Sequence, residues 1–147
     1  MKHILKISTI AAAGVLFFGV TTAQADSLTI VSWGGAYTQS QVKAYYEPYT
    51  KKTGIKINSE DYNGGIAEVQ AQVKANNVTW DIVDLELSDV VKGCDEGLLE
   101  RIDLSSLPPA PDGTSAKDDF LPGTLHECGV GEIIWSQIIA FDKTKFS

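Results

Sequence analysis

The chain has 147 residues, 44% of them hydrophobic and 21% charged, and a formal net charge of −7. That length suits one domain. The acidic balance works against nucleic acid and anionic lipid as partners and favours neutral or cationic ones.

Taken in chain order, Met1–Lys6 is a short basic head with lysines at Lys2 and Lys6, Ile7–Val20 is apolar and uncharged, and Thr21–Ala25 ends in Ala23-Gln-Ala25. This is the layout of a secretory signal peptide over 1–25, cleaved after Ala25, with the product expected in the periplasm. Ile7–Val20 falls short of the roughly 20 apolar residues a membrane span needs. A buried N-terminal helix is the alternative, and the two lysines argue against it. Losing Lys2 and Lys6 leaves ten basic against 19 acidic residues, a formal charge of −9.

Leu28–Trp33 reads as a first strand running into Trp33-Gly-Gly-Ala-Tyr37. Thr38–Lys52 carries Val42, Tyr45, Tyr46 and Tyr49 at helical spacing, with Pro48 expected to kink or shorten the helix. Ile55–Ser59 alternates as a second strand. Gly64-Gly65 opens a second helix through Ile66, Val69, Val73 and Ala75. Trp80–Leu85 is a third strand, and Asp89–Asp95 a short helix ended by Gly97. Leu98–Ile102 reads as a docking segment, and Leu107–Gly113 as a Pro-rich surface loop. The apolar run Val130–Phe141 reads as a last strand, with no capping element after it. An unpaired apolar strand invites association, so the chain is expected to be incomplete and poorly soluble.

Alternation of strand and helix predicts an α/β fold, an open parallel sheet with helices on both faces. If the strand order is 2-1-3, the winding reverses at strand one. Ligands of such sheets bind beyond the carboxyl ends of the strands at that reversal. The two loops there are Trp33–Tyr37 and Asp84–Asp89. Cys94 and Cys128 are the only thiols, and an exported chain meets an oxidising compartment, so they are expected to pair. Two buried free thiols are the alternative. A metal site finds only His126 beside Cys128 and no second ligand pair with metal-like spacing.

Thr53-Gly-Ile-Lys-Ile57, Trp80-Asp-Ile-Val83 and Gly97-Leu-Leu-Glu-Arg-Ile-Asp103 together resemble the N-terminal part of a periplasmic solute-binding protein of an ABC importer. Trp33–Tyr37, Tyr62-Asn-Gly-Gly65 and Gly129-Val130 leading to Ile134-Trp-Ser136 resemble the spermidine/putrescine branch. The resemblance implies a two-lobed fold closing on its ligand, with residues 26–132 as an incomplete first lobe, residues 133–147 crossing toward a missing second lobe, and a monomer when full length. It also implies a polyamine as ligand and an inner-membrane permease as partner, with no cofactor. Carried over by position, it points to the first loop from Trp33 to Tyr37, Gly35 included, and to Glu86 and Ser88 on the third, which replace the serine and tyrosine usual in that branch; Asp84 joins them on its chemistry.

The chemistry of those residues fits independently. A desolvated alkylamine needs its charges paired, which Asp84 and Glu86 can do, and the faces of Trp33 and Tyr37 can hold an ammonium group or a methylene chain. Gly34-Gly35 and Gly64-Gly65 precede helices whose N–H groups can face an anion, without matching a phosphate-loop pattern. No Ser/His/Asp or Cys/His set is assembled, which argues against an enzyme. Other solutes (ferric ion, a sugar, a thiamine-like cation) and a sensory ligand-binding domain remain as alternatives.

Overall fold

The computed structural model describes residues 27–146; the expected signal peptide lies outside them. The central element is β1 (Ser27–Ser32). It pairs in parallel with β2 (Lys56–Asp61) from Ser27↔Lys56 to Ser32↔Asp61, and with β3 (Ile82–Val83) at Ile30↔Ile82 and Val31↔Val83. The sheet is parallel, as the alternation of strands and helices predicts, and its order is β2-β1-β3. A strand flanked on both sides and covered on both faces is buried at its centre and favours apolar residues there. Accordingly Ile30 and Val31 are buried, and Val31 and Ser32 have no exposed surface at all.

The connection from β1 to β2 is a single helical path in three parts: α1 (Gly35–Gln41), a π turn (Val42–Tyr46) and α2 (Glu47–Thr53). Pro48 explains the π turn. It has no N–H to give the carbonyl of Ala44, and its ring crowds that carbonyl in regular α geometry. Widening the preceding turn, with Glu47 N–H donating to the Val42 carbonyl, removes the conflict without breaking the path. Pro48 then sits in the first turn of α2, where no N–H is needed. The helix thus continues through Pro48, neither cut short nor halted by it. It also starts earlier than its apolar spacing suggests. The Thr38 hydroxyl accepts the Gly34 N–H at 2.8 Å, so the first turn forms from Gly35.

Helix α3 (Ala67–Lys74) crosses from β2 to β3 and buries Val69. Strand β3 is shorter than the Trp80–Leu85 expected, because its flanks bond to β1 without ladder geometry. The Asp81 carboxylate accepts the Thr29 N–H at 2.7 Å, and Asp84 N–H donates to the Val31 carbonyl at 2.9 Å. Helix α4 (Leu87–Asp95) begins two residues earlier than expected, with Glu86 as its N-cap.

Leu98–Ile102 has no helix or strand, but Ile102 N–H donates to the Glu127 carbonyl at 2.7 Å. After the short helix α5 (Ala116–Asp119) comes an antiparallel hairpin of β4 (Leu125–His126) and β5 (Gly129–Val130). A disulfide joins Cys94 at the end of α4 to Cys128 between β4 and β5, as expected for the only two thiols of an exported chain.

The strand expected over Val130–Phe141 ends at Val130. A strand exists only where its N–H and C=O groups find a neighbour; Gly131 N–H still donates to the Thr124 carbonyl, and among the described residues no backbone group pairs with 132–141. Ile134, Ile138 and Ile139 are accordingly exposed, Ile139 at 96%. Among the described residues no helix is long and apolar enough to cross a membrane.

Candidate functional site

Residues at the carboxyl ends of β1 and β3 meet at the reversal of winding. Gly34 leaves β1 at φ +82°, and a Cβ there would lie 2.9 Å from the Asp61 carboxylate. Only glycine takes that turn without strain. The turn folds Trp33 back against the sheet, with its ring 5.7 Å from that of Tyr37 and 6.5 Å from that of Tyr62, near-parallel to the latter. Gly64 lets the indole approach: a Cβ on it would sit 2.8 Å from Trp33 Nε1. Tyr62 in turn meets Trp80 edge-on at 5.5 Å, and its hydroxyl donates to the Asp84 carbonyl. Trp33 is therefore half-buried within an aromatic row.

The polar centre lies beside that row. Gln41, on the inner face of α1 and 2% exposed, directs its amide nitrogen at two carboxylates. Nε2 is 2.6 Å from Asp84 Oδ2 and 3.1 and 3.0 Å from the two Glu132 oxygens. The Tyr37 hydroxyl donates to Glu132 Oε2 at 3.4 Å. Among the described residues the ion pairs are Arg101–Glu127 and Lys145–Asp142, so neither Asp84 nor Glu132 has a cation. Desolvation raises the Glu132 carboxyl above its ordinary value; the Gln41 hydrogen bond opposes this and the charge of Asp84 adds to it. Burial, with Asp84 and Glu132 nearby, also pushes the Tyr46 phenol up to about 12. Gln41 Oε1, Tyr46 Oη and Ser32 Oγ are buried with no hydrogen-bond partner.

Of the residues expected from the sequence, Trp33 touches Tyr37, and Tyr37 and Asp84 come together through Gln41 and Glu132. Gly35 is exposed at the start of α1, with open space where a side chain would stand. Glu86 accepts the Trp135 indole N–H at 3.2 Å. Ser88 is exposed in the first turn of α4. The residues not anticipated as site residues are Gln41, Tyr62, Glu132 and Trp135. Glu132 had a signal of its own, as the one charged residue between Gly129 and Ala140. Among the described residues, no group of three or more His, Cys, Asp or Glu side chains is arranged to hold a metal ion.

A β2-β1-β3 sheet with polar and aromatic loops gathered at its switch point defines a ligand-binding α/β lobe. Residues 44–147 match the family described as bacterial extracellular solute-binding protein, and the chain belongs to that family. It is 40% identical over 140 residues to the gamma-aminobutyric acid (GABA)-binding protein of Pseudomonas aeruginosa, covering 95% of this chain and 38% of that protein. The chain thus spans well under half the length of this relative. Among solved structures it resembles the periplasmic binding protein MotA from A. tumefaciens B6 in complex with glucopine. That match has a TM-score of 0.59 and 30% identity, over 69% of this chain and 28% of that one. It also resembles AgtB from A. tumefaciens R10 in complex with agropinic acid, with a TM-score of 0.52 and 38% identity over 56% and 26% of the two chains. None of the three names a polyamine, so the polyamine specificity expected from the sequence gains no support.

Proposed function

We propose that this chain supplies one lobe of the extracytoplasmic solute-binding component of an ABC importer. Its solute is a small molecule carrying an amino group and a carboxylate, as GABA does, and it is handed to a membrane permease from the periplasm. Residues 26–132 serve as the lobe, and 133–147 cross toward a second one. The observation that carries the reading is the meeting of the Trp33–Tyr37 and Asp84–Glu86 loops at the carboxyl ends of β1 and β3. It places carboxylates without cations beside an aromatic row. Such a surface suits the cationic end of a solute, and the 40% identity to a GABA-binding protein supports an amino acid over a diamine.

The test is calorimetric titration with GABA, putrescine, glucopine and maltose. It uses the chain itself and a chimera in which the rest of the P. aeruginosa relative completes it. GABA or glucopine should bind in preference to putrescine. Preference for putrescine would restore the polyamine reading, and preference for maltose would remove the amine from the argument.

A further inference from the structure

The asparagines of the chain are Asn58, Asn63, Asn76 and Asn77, and Asn63 is the one followed by glycine. It stands on the loop between β2 and α3. Its neighbours Tyr62 and Ile66 are buried, whereas Asn63 is exposed. Among the described residues its carboxamide makes no hydrogen bond, and the Gly64 N–H donates to no backbone acceptor. The fold requires glycine at 64, which takes φ +86° and where a Cβ would lie 2.8 Å from Trp33 Nε1. The contact that keeps a side chain off Gly64 therefore leaves its nitrogen unshielded beside a free carboxamide.

The other asparagines lack this combination. Asn58 lies in β2, and the residue after it, Ser59, is paired with Ile30. After Asn76, the Asn77 N–H is taken by the Gln72 carbonyl at 3.0 Å. After Asn77 stands Val78, whose branched Cβ crowds any approach to its nitrogen.

We propose that Asn63 is a site of non-enzymatic modification, losing its amide to give aspartate and isoaspartate, and that the isoaspartate form displaces Gly64 from Trp33. The Gly64 nitrogen, deprotonated by solvent hydroxide, attacks Asn63 Cγ. A C–N bond forms, the Cγ–Nδ2 bond breaks, and ammonia leaves with a proton from water. The cyclic imide then adds water at either carbonyl. One opening gives aspartate. The other gives isoaspartate, in which the main chain runs through the side-chain carbons and the former backbone carbonyl becomes the carboxylate. The net change is one water in and one ammonia out, with no oxidant or reductant. Isoaspartate lengthens the main chain by a methylene between Tyr62 and Gly64. Tyr62 is held, its N–H donating to the Ser32 carbonyl at 2.9 Å and its hydroxyl to the Asp84 carbonyl. The added length therefore falls on Gly64 and on the indole packed against it, and through that ring on the row with Tyr37 and Tyr62.

The experiment incubates the folded chain at mildly alkaline pH beside a synthetic peptide of residues 60–66. Peptide mass spectrometry and isoaspartate methyltransferase labelling follow each asparagine, tryptophan emission follows Trp33, and circular dichroism reports the fold. Asn63 should convert from amide to acid, with isoaspartate among the products, while Asn58, Asn76 and Asn77 stay intact. Emission should drift with isoaspartate content in the wild type. It should hold steady in Asn63→Gln, whose longer side chain must close a larger ring. Fresh Asn63→Asp, which carries the charge without the extra methylene, should emit like fresh wild type. Conversion of the peptide but not of the folded chain, or loss of all four amides together, overturns the site. Isoaspartate without any emission change, or fresh Asn63→Asp emitting like aged wild type, overturns the displacement of Gly64 from Trp33.

Discussion

Breaking the Cys94–Cys128 bond tests how the fold delivers Glu132 to Gln41. The disulfide spans a sequence separation of 34 and fastens the β4–β5 hairpin to the end of α4. Four residues after Cys128 the chain reaches Glu132. The other ties of the hairpin run to the segment before it or within it: Ile102 to Glu127, the Arg101–Glu127 ion pair, and Gly131 to Thr124. None of these fixes it to the sheet. Closing a loop of this length removes unfolded-state entropy worth about 4 kcal/mol. For a domain of this size that is a melting shift on the order of 15 °C. Reduction, or the double change Cys94→Ser with Cys128→Ser, should lower the urea midpoint accordingly. It should also move the Gln41 side-chain amide NMR signal, because Glu132 loses its anchor. An unchanged midpoint would refute the loop-closure argument. A lowered midpoint with the Gln41 signal in place would show that Glu132 is held by contacts other than the hairpin.

Gly64→Ala places a methyl group 2.8 Å from the Trp33 indole nitrogen at φ +86°. It should destabilise the fold by about 1–3 kcal/mol and shift tryptophan fluorescence; an unchanged emission spectrum and melt would mean that Trp33 is not held there. The raised Glu132 carboxyl sets a pH dependence. The folded state holds that proton more tightly than the unfolded one, so the associated stability is full below the unfolded value of 4.5 and is lost as pH rises through the folded value. Urea midpoints of Glu132→Gln should therefore gain on wild type as pH climbs from the acid side. The reverse trend would mean that the carboxylate is better stabilised in the fold than in water.

The sheet was legible because its signals are local. Leu28–Trp33 carries an apolar bias around Ile30 and Val31, glycines and helical spacing separate it from the next two strands, and a central parallel strand needs such a centre. The disulfide was legible from a count of two. The π turn was only half legible. Pro48 announced a conflict, but its resolution depends on which neighbouring turn can widen. Glu132 escaped notice because the apolar residues around it read as a strand, and its partner Gln41 stands 91 positions earlier. No local periodicity encodes such a pairing. The contact of Glu86 was hidden for a similar reason. As N-cap of a helix that starts at Leu87 it is directed by the helix, and Trp135, 49 residues on, takes its carboxylate.

The arrangement at the switch point costs the folded protein stability, and that cost is informative about function. Two carboxylates that share one neutral amide repel each other, and partial desolvation adds to the penalty. Substituting either by its amide would relieve both effects, yet the surrounding structure enforces the pair. Asp84 is fixed by its own N–H on the Val31 carbonyl and by the Tyr62 hydroxyl on its carbonyl. Glu132 is fixed by Tyr37 and Gln41. A cationic end of the proposed solute class, brought to this side of the sheet, would lower the repulsion between Asp84 and Glu132, which a neutral sugar would not.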